Sequence, residues 1–176
     1  MINKLEIGCG PNPTPGYLHN DVNNFEGVDF VCNAWDINLP EKSLDEVIAL
    51  GVMEHFTYSQ FDLVLTRIAR LCKPGAIFLF DVPDVVIWCK YLVDIESGKS
   101  APFSAEHVLA TLYGWQRWPG DEHKSGWTRE ALKEKVQSAG FSELSFSGLD
   151  QFLQRGLTRR RMTRPADAHI YCSAIR

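Results

Sequence analysis

The chain has no two cysteines spaced as CxxC, and no apolar run approaches the ~20 residues that a helix needs to cross a bilayer. Its five cysteines, Cys9, Cys32, Cys72, Cys89 and Cys172, are odd in number and scattered. That usage argues against a zinc or dithiol motif and for reduced thiols, so the sequence predicts a cytoplasmic protein with no metal centre and no membrane association. Excess positive charge is also missing. With 18 basic and 22 acidic residues the net charge is −4, so nothing draws the whole molecule to nucleic acid, and any such contact must be local. There is no leader signature, internal repeat or low-complexity tract. What remains is a chain of 176 residues, 45% hydrophobic and 23% charged, the balance of one globular domain over 1–176 that buries roughly 70% of its unfolded surface.

The most informative stretch runs from Lys4 to Pro13. An apolar strand carrying Glu6 leads into Gly8 and Gly10, separated by Cys9, and Asp21 follows eleven residues after Gly10. Glycines there let the backbone turn sharply at the C-terminal edge of a parallel sheet and leave room for a ligand against the main chain. An acid ending the next strand can grip a ribose diol. The pattern reads as a nucleoside site. Dinucleotide-binding folds open with the same spacing, but the third glycine they require falls on Pro13, and the interval between the first two strands has no room for a crossover helix facing a pyrophosphate.

Strands are expected at 4–8, 17–22, 28–32, 44–50 and 76–82. Between the first two, three prolines and a short interval exclude a helix longer than one turn. Phe61, Val64, Leu65, Ile68 and Leu71 share one face at the 3.6-residue period, predicting a helix from Ser59 that ends at Lys73-Pro74-Gly75. A later helix should start at a Thr128 cap and stop at Ala139-Gly140-Phe141, followed by strands at 143–147 and 168–175. Strand, turn, helix, strand is the order of a doubly wound α/β sheet.

Together these segments resemble the class I S-adenosylmethionine-dependent methyltransferases, through LEIGCGPNP, Asp21, LDEVIALGVMEHF and LCKPGAIFLFDVPD in that order. The GCGPNP and MEH sequences further resemble a bacterial subgroup, some of whose members are associated with sugar modification. The resemblance implies a Rossmann-like seven-stranded sheet, mostly parallel with an antiparallel last strand, and S-adenosylmethionine across the ends of the first four strands. It places Gly8, Cys9 and Gly10 against the methionine part, with Glu6 ordering their loop, and Asp21 on the ribose. Asn33, Ala34 and Trp35 fall where the family holds the adenine, and Leu50, Gly51 and Val52 complete the cofactor set. The family commonly has an aspartate at the position of Asn33; an amide oxygen accepts the same hydrogen bond, and Asp36 is a substitute.

Catalytic candidates are His55, in the loop after the fourth strand, and His123, in the segment where such folds place a substrate lid. Either has an equally plain role in packing or on the surface. The lid is expected over 84–127, a stretch holding four of the five tryptophans, in which Tyr113, Trp115, Trp118 and Trp127 form either an acceptor-stacking wall or a small core. Glu54 reads as a carboxylate opening a helix. The basic run Arg159 to Arg161, with Arg164, reads as a solvated loop, with a phosphate or nucleic-acid contact left open. Methyl transfer from a sulfonium is an in-line displacement that depends mainly on alignment, so the site need not show a general base. The expected acceptor is a small molecule, and the competing reading is a non-catalytic nucleoside-binding protein of the same fold.

Overall fold

The computed structural model describes residues 3–146, 149–157 and 168–176. Its strands are β1 (Lys4–Ile7), β2 (Leu18–Asp21), β3 (Phe30–Val31), β4 (Leu44–Ala49), β5 (Cys72–Pro83), β6 (Glu143–Ser145) and β7 (His169–Ile175). They form one seven-stranded sheet in the order β3-β2-β1-β4-β5-β7-β6, in which β7 runs antiparallel to both β5 and β6 and every other pair of neighbours is parallel. The helices are α1 (Tyr58–Leu71), α2 (Val85–Glu96), α3 (Ala105–Tyr113), α4 (Arg129–Ser138) and α5 (Leu149–Gln154). Single 3-10 turns cover Ala34–Asp36 and Met53–His55.

Period-two alternation divides the core between the two faces of the sheet. Val47, Phe78, Phe80, Val82, Ile170, Cys172 and Ala174 face α1 and α4 and join the large core. Ile48, Leu79 and Tyr171 face the other way, against Tyr17 and α5 residue Phe152. Helix α1 begins with a capping box, in which the Thr57 hydroxyl accepts the Gln60 N–H and the Gln60 side chain accepts the Thr57 N–H. Its five predicted apolar positions are all buried. Thr128 caps α4, accepting the Ala131 N–H at 3.2 Å.

No helix separates β1 from β2, and the turn-rich interval leaves an opening on that face of the sheet that Tyr17 fills. The Tyr17 hydroxyl donates to Glu46, whose other oxygen accepts from Arg155 Nε at 2.7 Å. Burial opposes ionisation of Glu46, but the Tyr17 hydroxyl and the Arg155 guanidinium outweigh it and hold the carboxyl below its ordinary range. This network pins residues 149–157 to the sheet.

Three expectations differ. β5 starts at Cys72 rather than Ala76, because Lys73-Pro74-Gly75 lies in a register shift between the Leu44–Cys72 and Glu46–Ile77 pairs. The 84–127 stretch, read as an aromatic-rich lid with no helix assigned to it, contains α2 and α3, whose hairpin closes on its own small core of Trp88 and Val108 with Ala168. Residues 149–154, read only as part of a connecting segment, form α5. The basic run at Arg159 to Arg161 and Arg164 lies outside the described residues.

Candidate active site

The C-terminal ends of β1, β2 and β4 lie side by side because these strands are parallel neighbours. After β1 the chain turns through Gly8 (φ +65°) and Gly10 (φ +62°), a conformation that side-chain-bearing residues rarely adopt. The two glycines meet different surroundings. A Cβ on Gly8 would fall 2.5 Å from Val52 Cγ2, whereas one on Gly10 would meet no atom within 4 Å. The β1 turn is thus packed against the loop after β4 at its first glycine and open at its second.

Two buried carboxylates hold this turn. Glu6 accepts the Thr14 N–H at 2.6 Å and the Thr14 hydroxyl at 2.8 Å, closing the proline-rich loop back onto β1. Asp21 Oδ2 accepts the Gly10 N–H at 2.9 Å, while Oδ1 accepts the Asn23 N–H at 2.8 Å and the Asn23 side-chain amide at 3.2 Å. A carboxylate has about four lone-pair sites. Three are filled here, which leaves Asp21 one for a ligand hydroxyl. Burial, reinforced by the charges of Asp21 and Glu6, pushes the Cys9 thiol up to about 12, so it stays a neutral thiol at neutral pH.

Asn33 and Trp35 stand at the end of β3, tied to β2 through Cys32, whose N–H reaches the Asp21 carbonyl at 3.2 Å. The Asn33 amide nitrogen donates to Asp36 at 2.9 Å, which leaves the Asn33 amide oxygen to accept from a ligand. Ala34 points into the large core, and Trp35 stands edge-on to Phe56. Leu50, Gly51 and Val52 follow β4, where the Gly51 N–H donates to Asp81 Oδ1 at 2.7 Å. Asp81 was missed in the sequence. Its signal was a lone carboxylate inside the apolar run of β5, and it also faces His169 Nδ1 at 3.3 Å.

His55 and His123 come together although 67 residues separate the loops that carry them, with ring centroids 4.9 Å apart and edge to face. His55 Nδ1 lies 3.0 Å from the Glu122 carbonyl, and the Glu54 carbonyl accepts the N–H groups of Lys124 and Ser125 at 2.9 and 3.3 Å. The Glu54 side chain is 1% exposed, with His123 Nε2 3.9 Å from its Oε1. Glu54 therefore opens no long helix; it joins the two histidines.

The aromatic group expected at 113–127 does not assemble. Trp127 packs on Phe61 in the large core with ring centroids 4.3 Å apart, its indole N–H on Ser125, whereas Tyr113, Trp115 and Trp118 are exposed. Trp115 stands edge-on to His107, and the Arg117 guanidinium lies over Trp118. Trp127 is a core residue because its strand-like pairing with Asp84 turns the indole inward.

Comparison with known proteins agrees with this architecture. A family model described as a methyltransferase domain matches residues 2–145. A fatty-acid O-methyltransferase of Mycolicibacterium smegmatis is 31% identical over an alignment covering 51% of this chain and 42% of that protein, so the chain spans well under half the length of this curated relative. Among solved structures, an S-adenosylmethionine-dependent methyltransferase from Archaeoglobus fulgidus superposes with a TM-score of 0.60 at 17% identity, covering 98% of this chain and 85% of that one. Haemonchus contortus phosphoethanolamine N-methyltransferase 2, in complex with S-adenosyl-L-methionine, gives 0.58 at 14% identity, covering 98% of this chain and 48% of that one. Glycine turn, acid-ended β2, strand order and family match converge on one assignment: this chain belongs to the methyltransferase-domain family, whose cofactor is S-adenosylmethionine.

Proposed function

We propose that this protein transfers the methyl group of S-adenosylmethionine to a small-molecule acceptor. The observation that carries the reading is the Asp21 clasp on Gly10, a carboxylate that orders the turn and keeps one acceptor site beside an open main chain. When bound, the cofactor supplies an electrophilic methyl on a sulfonium. The protein's work is to hold and aim it. Glu6, through Thr14, fixes the loop; the Gly8-Cys9-Gly10 main chain receives the methionine part; Asp21 takes a ribose hydroxyl; the Asn33 oxygen takes the adenine amine, with Ala34, Trp35 and the 50–52 segment around it. His55 and His123 stand on the acceptor side as candidates for activating the acceptor.

Residues 84–127 form the acceptor-side lid in this reading, within one methyltransferase domain over 1–176. The exposed Trp115 and Trp118 supply its apolar surface. A small-molecule acceptor is supported by the kind of compound that the Mycolicibacterium relative's name gives, a fatty acid. No described helix is long and apolar enough to cross a membrane. Five unpaired thiols suit a reducing compartment, and we place the protein in the cytoplasm.

Calorimetric titration with S-adenosylhomocysteine and with NAD tests the cofactor assignment. S-adenosylhomocysteine should bind one to one and NAD should not. Asp21→Ala should weaken that binding by about 1.5–3 kcal/mol, the range for hydrogen bonds to a charged group. Unchanged affinity would remove Asp21 from the site.

A further inference from the structure

We propose that Glu54, His55 and His123 form a binding site for one divalent transition-metal ion, of the zinc, cobalt or manganese type, on the acceptor side. One ligand atom from each residue lies within 4.8 Å of the others, and the set is one carboxylate oxygen with two imidazole nitrogens. Such donors favour zinc and its neighbours over magnesium or calcium, which take mainly oxygen.

Glu54 Oε1 and His123 Nε2 stand 3.9 Å apart, beyond hydrogen-bond reach. Donors about 2.0–2.1 Å from a tetrahedral ion stand about 3.3–3.4 Å apart, so a bound ion would draw this pair in by roughly half an ångström and the widest separation by up to about 1.4 Å. The outer shell is also built. The Glu122 carbonyl, which can only accept, fixes the proton of His55 on Nδ1 and leaves the lone pair on Nε2, the arrangement by which carbonyls orient metal-bound imidazoles. Main-chain bonds from Lys124 and Ser125 to the Glu54 carbonyl lock the two ligand-bearing segments together, and the His123 N–H, bonded to the Tyr113 carbonyl at 3.0 Å, holds its segment to the end of α3.

Three protein ligands leave at least one coordination position. Resting on the methyltransferase reading, we assign that position to the acceptor, which makes the acceptor an oxygen compound, a hydroxyl or carboxylate. The metal site itself stands without that reading.

Cobalt(II) is the probe. Protein stripped with chelator should take up one equivalent with visible d–d absorption that zinc displaces, and added zinc should raise the melting temperature by mass action. His123→Ala and Glu54→Gln should each lower cobalt affinity by about tenfold or more and abolish the zinc-dependent rise. His123→Gln serves if the alanine variant fails to fold. No d–d absorption in the wild type, or absorption undiminished in both variants, would overturn the site. A parallel S-adenosylhomocysteine titration separates the two readings: nucleoside binding without metal refutes only the cation site, and metal binding without nucleoside refutes only the methyltransferase reading.

Discussion

Gly8 and Gly10 are chemically identical and two residues apart, yet substitution should harm them in different ways. At Gly8 a methyl would strike Val52 and also demand a positive φ, so Gly8→Ala should cost about 2–4 kcal/mol of stability from overpacking and backbone strain together. Trimming the partner in Gly8→Ala/Val52→Ala should recover the packing part, a coupling that a double-mutant cycle on urea denaturation would measure; strict additivity would show that the contact is not the cause. At Gly10 a methyl meets nothing, so Gly10→Ala should cost only about 1 kcal/mol of stability. Its larger effect should be on S-adenosylhomocysteine affinity. Both glycines, Glu6 and Asp21 were legible in the sequence because a turn of this kind is local and its residue types are dictated by φ and by unpaired N–H groups. The Glu54, His55 and His123 constellation was not. Two neighbours and a third residue far along the chain share no spacing that a sequence can display, and only the folding of 121–125 onto the β4 loop brings them together.

Elements with one buried face were readable, and those buried on several sides or hardly at all were not. α1 and α4 announce themselves by period and caps, whereas α2 exposes Val86 and Val93 while burying Trp88, which blurs its 3.6-residue stripe. The α2–α3 hairpin depends on Trp88, 1% exposed, whose indole N–H donates to the Ala168 carbonyl at 2.8 Å. Trp88→Ala should therefore cost ~3–5 kcal/mol and lower the melting temperature by roughly 2–4 °C per kcal/mol. Trp115 and Trp118 are 47% and 57% exposed, and their alanine variants should melt within a few degrees of the parent while S-adenosylhomocysteine affinity stays within about twofold. A large loss of stability at either would make it a packing residue and remove it from the lid's acceptor face.

For the whole molecule, the missing crossover helix leaves one face of the sheet to Tyr17, α5 and the Glu46 network, so that face should govern the acid limit of stability. The folded-state pKa of Glu46 lies below its ordinary value; the network's contribution is thus complete above the unfolded pKa of ~4.3 and is lost as pH falls through the lower folded value. Wild type should exceed Glu46→Gln by about 1.5–3 kcal/mol at pH 7, with the gap closing below about pH 4. A gap independent of pH would show that Glu46 acts by shape alone. The strand order has a consequence for how the chain matures. β7 follows β6 in the chain but inserts between β5 and β6, pairing seven residues of β5 and three of β6. Until it docks, each of those strands has an unpaired edge, and the apolar β5 is a template for pairing with other copies of the chain. The nascent protein thus passes through an interval when its nucleoside half can be formed while its sheet is still open. Solubility during synthesis should accordingly depend on how promptly residues 169–175 arrive, and a chain lacking them should be recovered as aggregate.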